Sequence, residues 1–357
     1  MEKNKKKSKY NETEKHFDTK RKKTILLILF LILISSIFIA LTIGVYKISA
    51  NDVYNIVITH LNPWGDTNDL YRVYDVIVWN IRFPRILLSV AVGIALALAG
   101  GIYQGCFRNP LVEPYILGVE SGAAFGAALA IVIPSFFFSL QISAFIFGSI
   151  AVFGAYMLAR VRGETPTIML ILSGVIIGSV FAAFVSILKY IATDAALREI
   201  VFWMMGGFYY ASWSDVLLIL PIVIICFFIL WIFSWKLNIL SMGDEESKTL
   251  GVNPELYKVI FVIIATLITA ISVSAVGIIA WVGLMMPHAS RMLLGPDHRF
   301  MLPAAAMMGA IYMILCDTLA RTLTSAEIPV GILTSIIGAP YLIYLIRNKG
   351  KLIFGVG

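Results

Sequence analysis

Few side chains in this 357-residue chain have types and spacing that could do chemistry. Asp317 and Arg321 stand four apart within an apolar run, so one helical face can pair them near the end of a span. A proton-driven transporter would bury such groups nearer the membrane midplane, so an anchoring ion pair is the expected role. His288 and His298 are ten apart across a stretch broken by proline and glycine, and roles at helix ends or in loops are expected of them. Cys106, Cys226 and Cys316 lie far apart inside apolar runs, so neither a disulfide framework nor a metal cluster follows. Thirteen methionines, with pairs at 204–205, 285–286 and 307–308, suit adaptable packing. There is no G-x-x-x-x-G-K-[ST] loop for ATP; the lone Gly350-Lys351 pair sits near the C-terminus. No Ser/His/Asp or paired-carboxylate arrangement stands out either. The expectation is therefore no catalytic residues, no metal ligands and no cofactor.

The most informative polar stretch is Lys236 to Lys258, KLNILSMGDEESKTLGVNPELYK, between apolar runs at 213–235 and 259–276. Asp244 can cap a short helix whose first turn carries Glu245 and Glu246, the end that favours negative charge. Gly251 supplies a stop after Leu250, and Pro254 opposes continuation. A link that only reversed direction could be about 2–8 residues long. The segment reads either as a docking surface for a cytosolic partner or as an ordinary solvated loop.

The elements around it are membrane spans. At 59% hydrophobic, 14% charged and mean hydropathy +0.89, the chain departs from soluble composition, about 45–50% and 25%. The expected fold class is an all-α polytopic membrane protein, which places the chain in membrane lipid. The net charge of +7 does not point to nucleic acid, because ten of the 28 Lys/Arg fall in the first 23 residues. Residues 1–23 read as a basic, unordered cytosolic tail and 349–357 as a C-terminal tail. The run 24–46 is too long for a signal-peptide core and stays as a helix. Ten spans are expected within 24–348: 24–46, 85–107, 115–133, 139–160, 167–191, 213–235, 258–276, 278–293, 301–321 and 329–346. A polar, aromatic-rich loop fills Lys47 to Arg82, and 192–212, broken at Gly206-Gly207, reads as partly re-entrant. With the N-terminus inside, inner segments hold 21 Lys/Arg and outer ones seven, which favours two cytosolic termini. Small residues recur every fourth position at Gly93/Ala97/Gly101/Gly105, Gly118/Gly122/Gly126/Ala130, Gly174/Gly178/Ala182/Ser186 and Gly331/Ser335/Ala339. Such rows are packing seams, one of which could face a second subunit.

Several blocks, in order, resemble the permease subunits of ABC importers for iron-siderophores, haem and vitamin B12. They are RFPR (82–85), GIALALAGGIYQGCFRNPLVEPYILGVESGAAFGA (93–127), FWMMGGFYYASW (202–213), ILSMGDEESKTLGV (239–252), GIIAWVGLMMPHASRMLLGPDHRFMLPAAAMMGA (277–310), DTLAR (317–321) and IPVGILTSIIGAPYLIYLI (328–346). The resemblance covers roughly 82–347. It implies a vitamin B12 importer permease-like subunit with ten spans in a prokaryotic plasma membrane. It also implies a second permease subunit, homo- or heterodimeric, two cytosolic ATP-binding subunits and an extracytoplasmic substrate-binding protein. The cargo implied is a ferric siderophore, with cobalamin or haem as alternatives. Within the loop 236–258, Gly243, Asp244, Glu245, Glu246, Leu250 and Gly251 would couple to the ATPase. Arg82, Arg85 and Arg321 would meet acidic residues of the binding protein. Spans five and ten would line the path, with Thr165 and Thr167 beside a cytosolic gate. A transporter working without an ATPase is the rival from another class.

Overall fold

The structure is a computed structural model describing residues 2–62, 72–160, 165–324 and 326–354; of residues 2–18, 72, 345, 346 and 348–354 only the backbone is described. Every regular element among them is helical. α1 (Glu2–Thr42) runs through the basic tail that was expected to be unordered. No proline or glycine interrupts it, and its Lys and Glu residues are good helix formers. The expected loop from Lys47 to Arg82 also contains helix. α2 (Ala50–Leu61) is capped by Ser49, whose Oγ accepts the Asp52 amide at 3.2 Å, and it buries Val53, Ile56 and Val57 as one stripe. α3 (Arg72–Asp75), a π-helical stretch Val76–Arg82 and α4 (Phe83–Phe107) then run on as one rod. The turn signals at Pro63, Trp64 and Gly65 lie outside the described residues.

A 3-10 turn at Pro114–Leu117 leads into α5 (Val119–Val132), followed by α6 (Leu140–Ala159) and α7 (Thr167–Ile191). The expected re-entrant segment is α8 (Asp194–Met205), a surface helix that buries only Ile200 and ends where Gly206 takes φ +66°. α9 (Trp213–Ile232), α10 (Ser234–Leu240), α11 (Asp244–Thr249), α12 (Pro254–Val276), α13 (Val282–Leu294), α14 (His298–Ala320) and α15 (Val330–Phe354) complete the chain. Helix thus continues past 348 into the expected C-terminal tail. Seven helices among the described residues are long and apolar enough to cross a membrane. The expected spans at 115–133, 278–293 and 329–346 are filled instead by the short α5, by α13, which carries Pro287 and Arg291, and by the apolar part of α15, Val330–Tyr344.

Lipid offers no hydrophobic drive between helices, so they associate by close packing. The small-residue rows show where. A Cβ at Gly93 would collide with the Gly309 carbonyl of α14, and one at Gly100, which lies outside the expected row, with the Gly283 carbonyl of α13. Gly122 and Gly126 meet the Phe147 and Ser143 carbonyls of α6 in the same way. The third row divides: Gly174 abuts the Ile116 carbonyl, whereas Ala182 and Ser186 are exposed on the single chain.

Between α12 and α13 the chain runs without regular structure from Gly277 to Trp281, with Ile279 buried. Buried backbone without water must find partners inside the protein. Tyr115 provides them: its hydroxyl donates to the Ile279 carbonyl at 2.8 Å and accepts the Ile279 amide at 3.3 Å. Tyr115→Phe leaves both groups unpaired at a cost of about 1–3 kcal/mol. Its thermal midpoint in detergent should fall clearly below wild type; an unchanged midpoint would show that the crossover is held by other means.

Candidate functional site

Charged side chains gather at the two ends of the bundle. At one end the guanidiniums of Arg82 and Arg321 turn onto the C-terminus of α1. Arg82 Nη1 donates to the carbonyls of Leu41 (2.7 Å) and Thr42 (3.4 Å), and Nη2 to Tyr46. Arg321 Nη2 donates to the Ala40 carbonyl. Those of Ala40, Leu41 and Thr42 are carbonyls a helix end leaves without partners, and the helix dipole favours positive charge there. Arg85 Nε donates to Asp317 at 2.8 Å and its Nη1 to Glu327 at 2.9 Å. Asp317 lies 3.7 Å from Arg321 Nε, so the expected i,i+4 pair forms with Arg85 as the closer partner. The three arginines are 5–7% exposed, and their hydrogen bonds run inward. Burial favours this only because each charge meets carboxylates or several carbonyls.

At the opposite end lies the Lys236–Lys258 segment. α11 occupies the expected place, but Gly243 rather than Asp244 is its N-cap residue. Asp244 Oδ2 instead takes the ammonium of Lys258 at 2.7 Å. Lys258 is 2% exposed and also lies 3.9 Å from Glu255. Glu255 Oε2 in turn accepts the backbone N–H (3.2 Å) and hydroxyl (2.6 Å) of Thr165. An unbroken polar chain therefore runs from α11 through the first turn of α12 to the entry of α7, where Thr167 is half-buried. Ser247 is fully buried, its hydroxyl donating to the Gly243 carbonyl at 2.5 Å with the Ile239 carbonyl 3.2 Å away, so α11 is packed down on its inner side. Its outer side presents Glu245, Leu250 and the preceding Met242 to solvent. Gly251 ends the helix at φ +74°, its amide on the Lys248 carbonyl at 3.0 Å. Pro254 does not merely stop α11; it opens α12, with Asn253 capping the Leu256 amide.

Beside this segment, Asp297 binds Arg299 (2.7 and 3.0 Å) and Asn238 (2.8 Å). Partial burial alone would raise its pKa, but those hydrogen bonds hold it at about 2. Among the described residues no group of three or more His, Cys, Asp or Glu side chains could hold a metal ion.

Residues 30–348 match the FecCD transport family. This chain belongs to that family. It is 39% identical to the molybdate import system permease protein MolB of Haemophilus influenzae, over 90% of this chain and 95% of MolB. It is 42% identical to the cobalamin import system permease protein BtuC of Halobacterium salinarum, over 77% and 74% of the two chains. A solved inward-facing metal-chelate type ABC transporter superposes with a TM-score of 0.81 at 39% identity, covering 91% of this chain and 99% of that one. Membership makes the chain an ABC importer permease and sets aside a carrier that works without an ATPase.

Within this FecCD permease, reasoning from residue types found the short helix α11 and both charged ends. It missed Lys258, which looked like a loop-end charge, and Glu255. The available signal was position: an acid and a lysine at i,i+3 in the first turn of an apolar helix, with Asp244 a short loop away. Lys258→Met should strand Asp244 and free α11, raising amide exchange across 244–251 by about tenfold or more, whereas Lys258→Arg should keep it near wild type. Equal exchange in all three proteins would remove Lys258 from this role.

Proposed function

We propose that this chain is one of two membrane subunits of an importer that carries a metal chelate, a ferric siderophore ahead of cobalamin or haem, into a prokaryotic cytoplasm. Both termini and the Lys236–Lys258 end face the cytosol, in keeping with the excess of Lys/Arg in the segments at that end. Ten crossings then follow if α5, α13 and α15 traverse the bilayer with the help of irregular backbone at their ends. The observation that carries the cargo class is the exposed face of α7. Leu172, Val175, Ser179, Val180, Ala183 and Ile187 lie open on the single chain, and no charged residue occurs between Thr167 and Leu188. A wall of apolar groups and hydroxyls suits a bulky chelate. A bare oxyanion such as molybdate would call for donors or positive charge. A second permease subunit across that face closes the path, with α15 alongside and Thr165 and Thr167 at its cytosolic mouth.

α11 is the part that two cytosolic ATPase subunits would grip. It is exposed on one side and fastened on the other, so displacement there reaches α12 and α7 instead of dissipating in a loop. Gly243, Asp244, Glu245, Glu246, Leu250 and Gly251 are its working residues. In proteoliposomes with the ATPase and loaded binding protein, wild type should take up a ferric chelate. Gly251→Pro, which denies the positive φ, and Glu245→Lys should each abolish stimulation of ATP hydrolysis by loaded binding protein. Gly251→Asn should retain most of it, because asparagine tolerates that conformation and no atom lies within 4 Å of the added Cβ. Stimulation intact in Gly251→Pro, or uptake of cobalamin but no ferric chelate, would sink the respective half of the reading.

The binding protein would dock at the arginine end. The cluster of Arg82, Arg85, Arg321, Asp317 and Glu327 has an excess of one positive charge, so it attracts acidic groups while holding the rim in shape. Arg321→Gln should weaken docking severalfold and flatten its salt dependence. Affinity and slope both equal to wild type would confine Arg321 to holding α1.

A further inference from the structure

A cavity of about 700 Å3 opens beside the coupling segment, lined among others by Gln104, Arg108, Asn238, Ser241, Arg291 and His298. Two guanidiniums reach it. Arg291 donates only to the neutral Gln104 Oε1, at 3.4 Å, and Arg108 stands where α4 ends, its Nη1 beside Gly243 on the side where the Glu246 carboxylate also lies. Among the described residues neither makes an ion pair. The one carboxylate in the lining, Asp297, is consumed by Arg299 and Asn238.

His298 adds an independent sign of a missing partner. Asn238 Oδ1 accepts the His298 amide (2.9 Å) while Asn238 Nδ2 donates to Asp297, so the ring nitrogen 2.7 Å from Oδ1, Nδ1, must carry the proton. Nε2 is left as an acceptor, buried and unpartnered, on a residue only 4% exposed. The cavity therefore asks for a carboxylate with one hydrogen-bond donor next to it. Its volume equals that of about twenty waters at about 30 Å3 each, too much for a single tetrahedral ion. The neighbouring α11 shows the opposite sign, with three acidic residues in its first turn.

We propose that the cavity receives an acidic loop of the cytosolic ATPase subunit, whose carboxylate bridges Arg108 and Arg291 while an adjacent N–H or O–H satisfies His298. This rests on the coupling reading above. An acidic helix beside a basic cavity fixes the register of the docked subunit, because a rotated approach would set like charges together.

The full-length permease in nanodiscs, titrated with its ATPase subunit at several salt concentrations, tests this. Arg108→Gln/Arg291→Gln should raise the Kd by about tenfold or more and flatten its salt dependence. Arg291→Glu should be partly rescued by an Asp→Arg or Glu→Arg change at one position of the ATPase. Should the double variant fail to fold, the exposed Arg108→Gln alone should show the same direction. Unchanged Kd and slope in folded variants would overturn the proposal. So would inorganic phosphate or phosphatidylglycerol vesicles that raise the thermal midpoint of wild type but not of Arg291→Gln while ATPase affinity stays the same; that pattern would assign the cavity to a phosphate. A disulfide between a Glu245→Cys permease and a cysteine of the ATPase reports the coupling reading separately. Its absence in an otherwise wild-type complex sinks both ideas, and its presence with unaltered affinity in the double variant sinks only the cavity.

Discussion

Direct contact of helix backbones along α4 is the constraint on which the rest of this structure depends. Gly93 against Gly309 and Gly100 against Gly283 bring α14 and α13 to distances that no side chain would allow. Polar groups then lock the register. Tyr103 shares a hydrogen bond with Thr266 of α12 at 2.8 Å, and Gln104 Nε2 donates to the Leu284 carbonyl of α13 at 3.2 Å. In a medium that exerts no hydrophobic pressure between helices, such contacts set the geometry. α4 begins at Arg82 and Arg85 and ends at Arg108, so the two charged faces are tied through one helix.

The buried charges follow a common rule at both ends. Each is placed where removal of one partner would leave another stranded, at about 3–5 kcal/mol. Asp317 serves Arg85 and Arg321, Lys258 serves Asp244 and Glu255, and Arg82 serves the end of α1. Arg108, which is exposed, and the half-buried Arg291 make no ion pair among the described residues, and this sets the loop-end cavity apart from the finished clusters.

Much of this was legible in the residues, for physical reasons. Apolar runs of about 20 residues have few alternatives to crossing a membrane, and glycine every fourth position has few uses on such a helix besides close approach. The α11 helix was legible from its acidic start and its glycine stop. Direction of side chains was not. Arginines before and after a span look the same whether their forks reach outward to a partner or, as here, back onto carbonyls of α1 more than 35 positions away in sequence. Asp244 looked like a cap because capping is local, while its actual partner Lys258 depends on how α10, α11 and α12 fold back on one another. The expected span at 278–293 holds a helix only from Val282 onward, because periodicity does not reveal an irregular stretch whose amide and carbonyl are met by a tyrosine 164 residues away.

The contrast between α4 and α7 bears on how such a permease can move at all. The most apolar window of the rod that contains α4 is 89% buried, against 22% for α7. α7 gives up little packing within its own chain when it shifts, whereas any displacement of α4 would drive backbone into backbone at two glycine contacts. Force applied at α11 therefore finds a stiff core on one side and a loosely held helix on the other. The hydrogen bonds of Thr165 to Glu255 join that loose helix to α12 one turn from Lys258. The link is two-pronged, because the carboxylate accepts from both the hydroxyl and the backbone of one residue. α7 thus has few commitments within its own chain, and its polar tether to α12 lies beside α11.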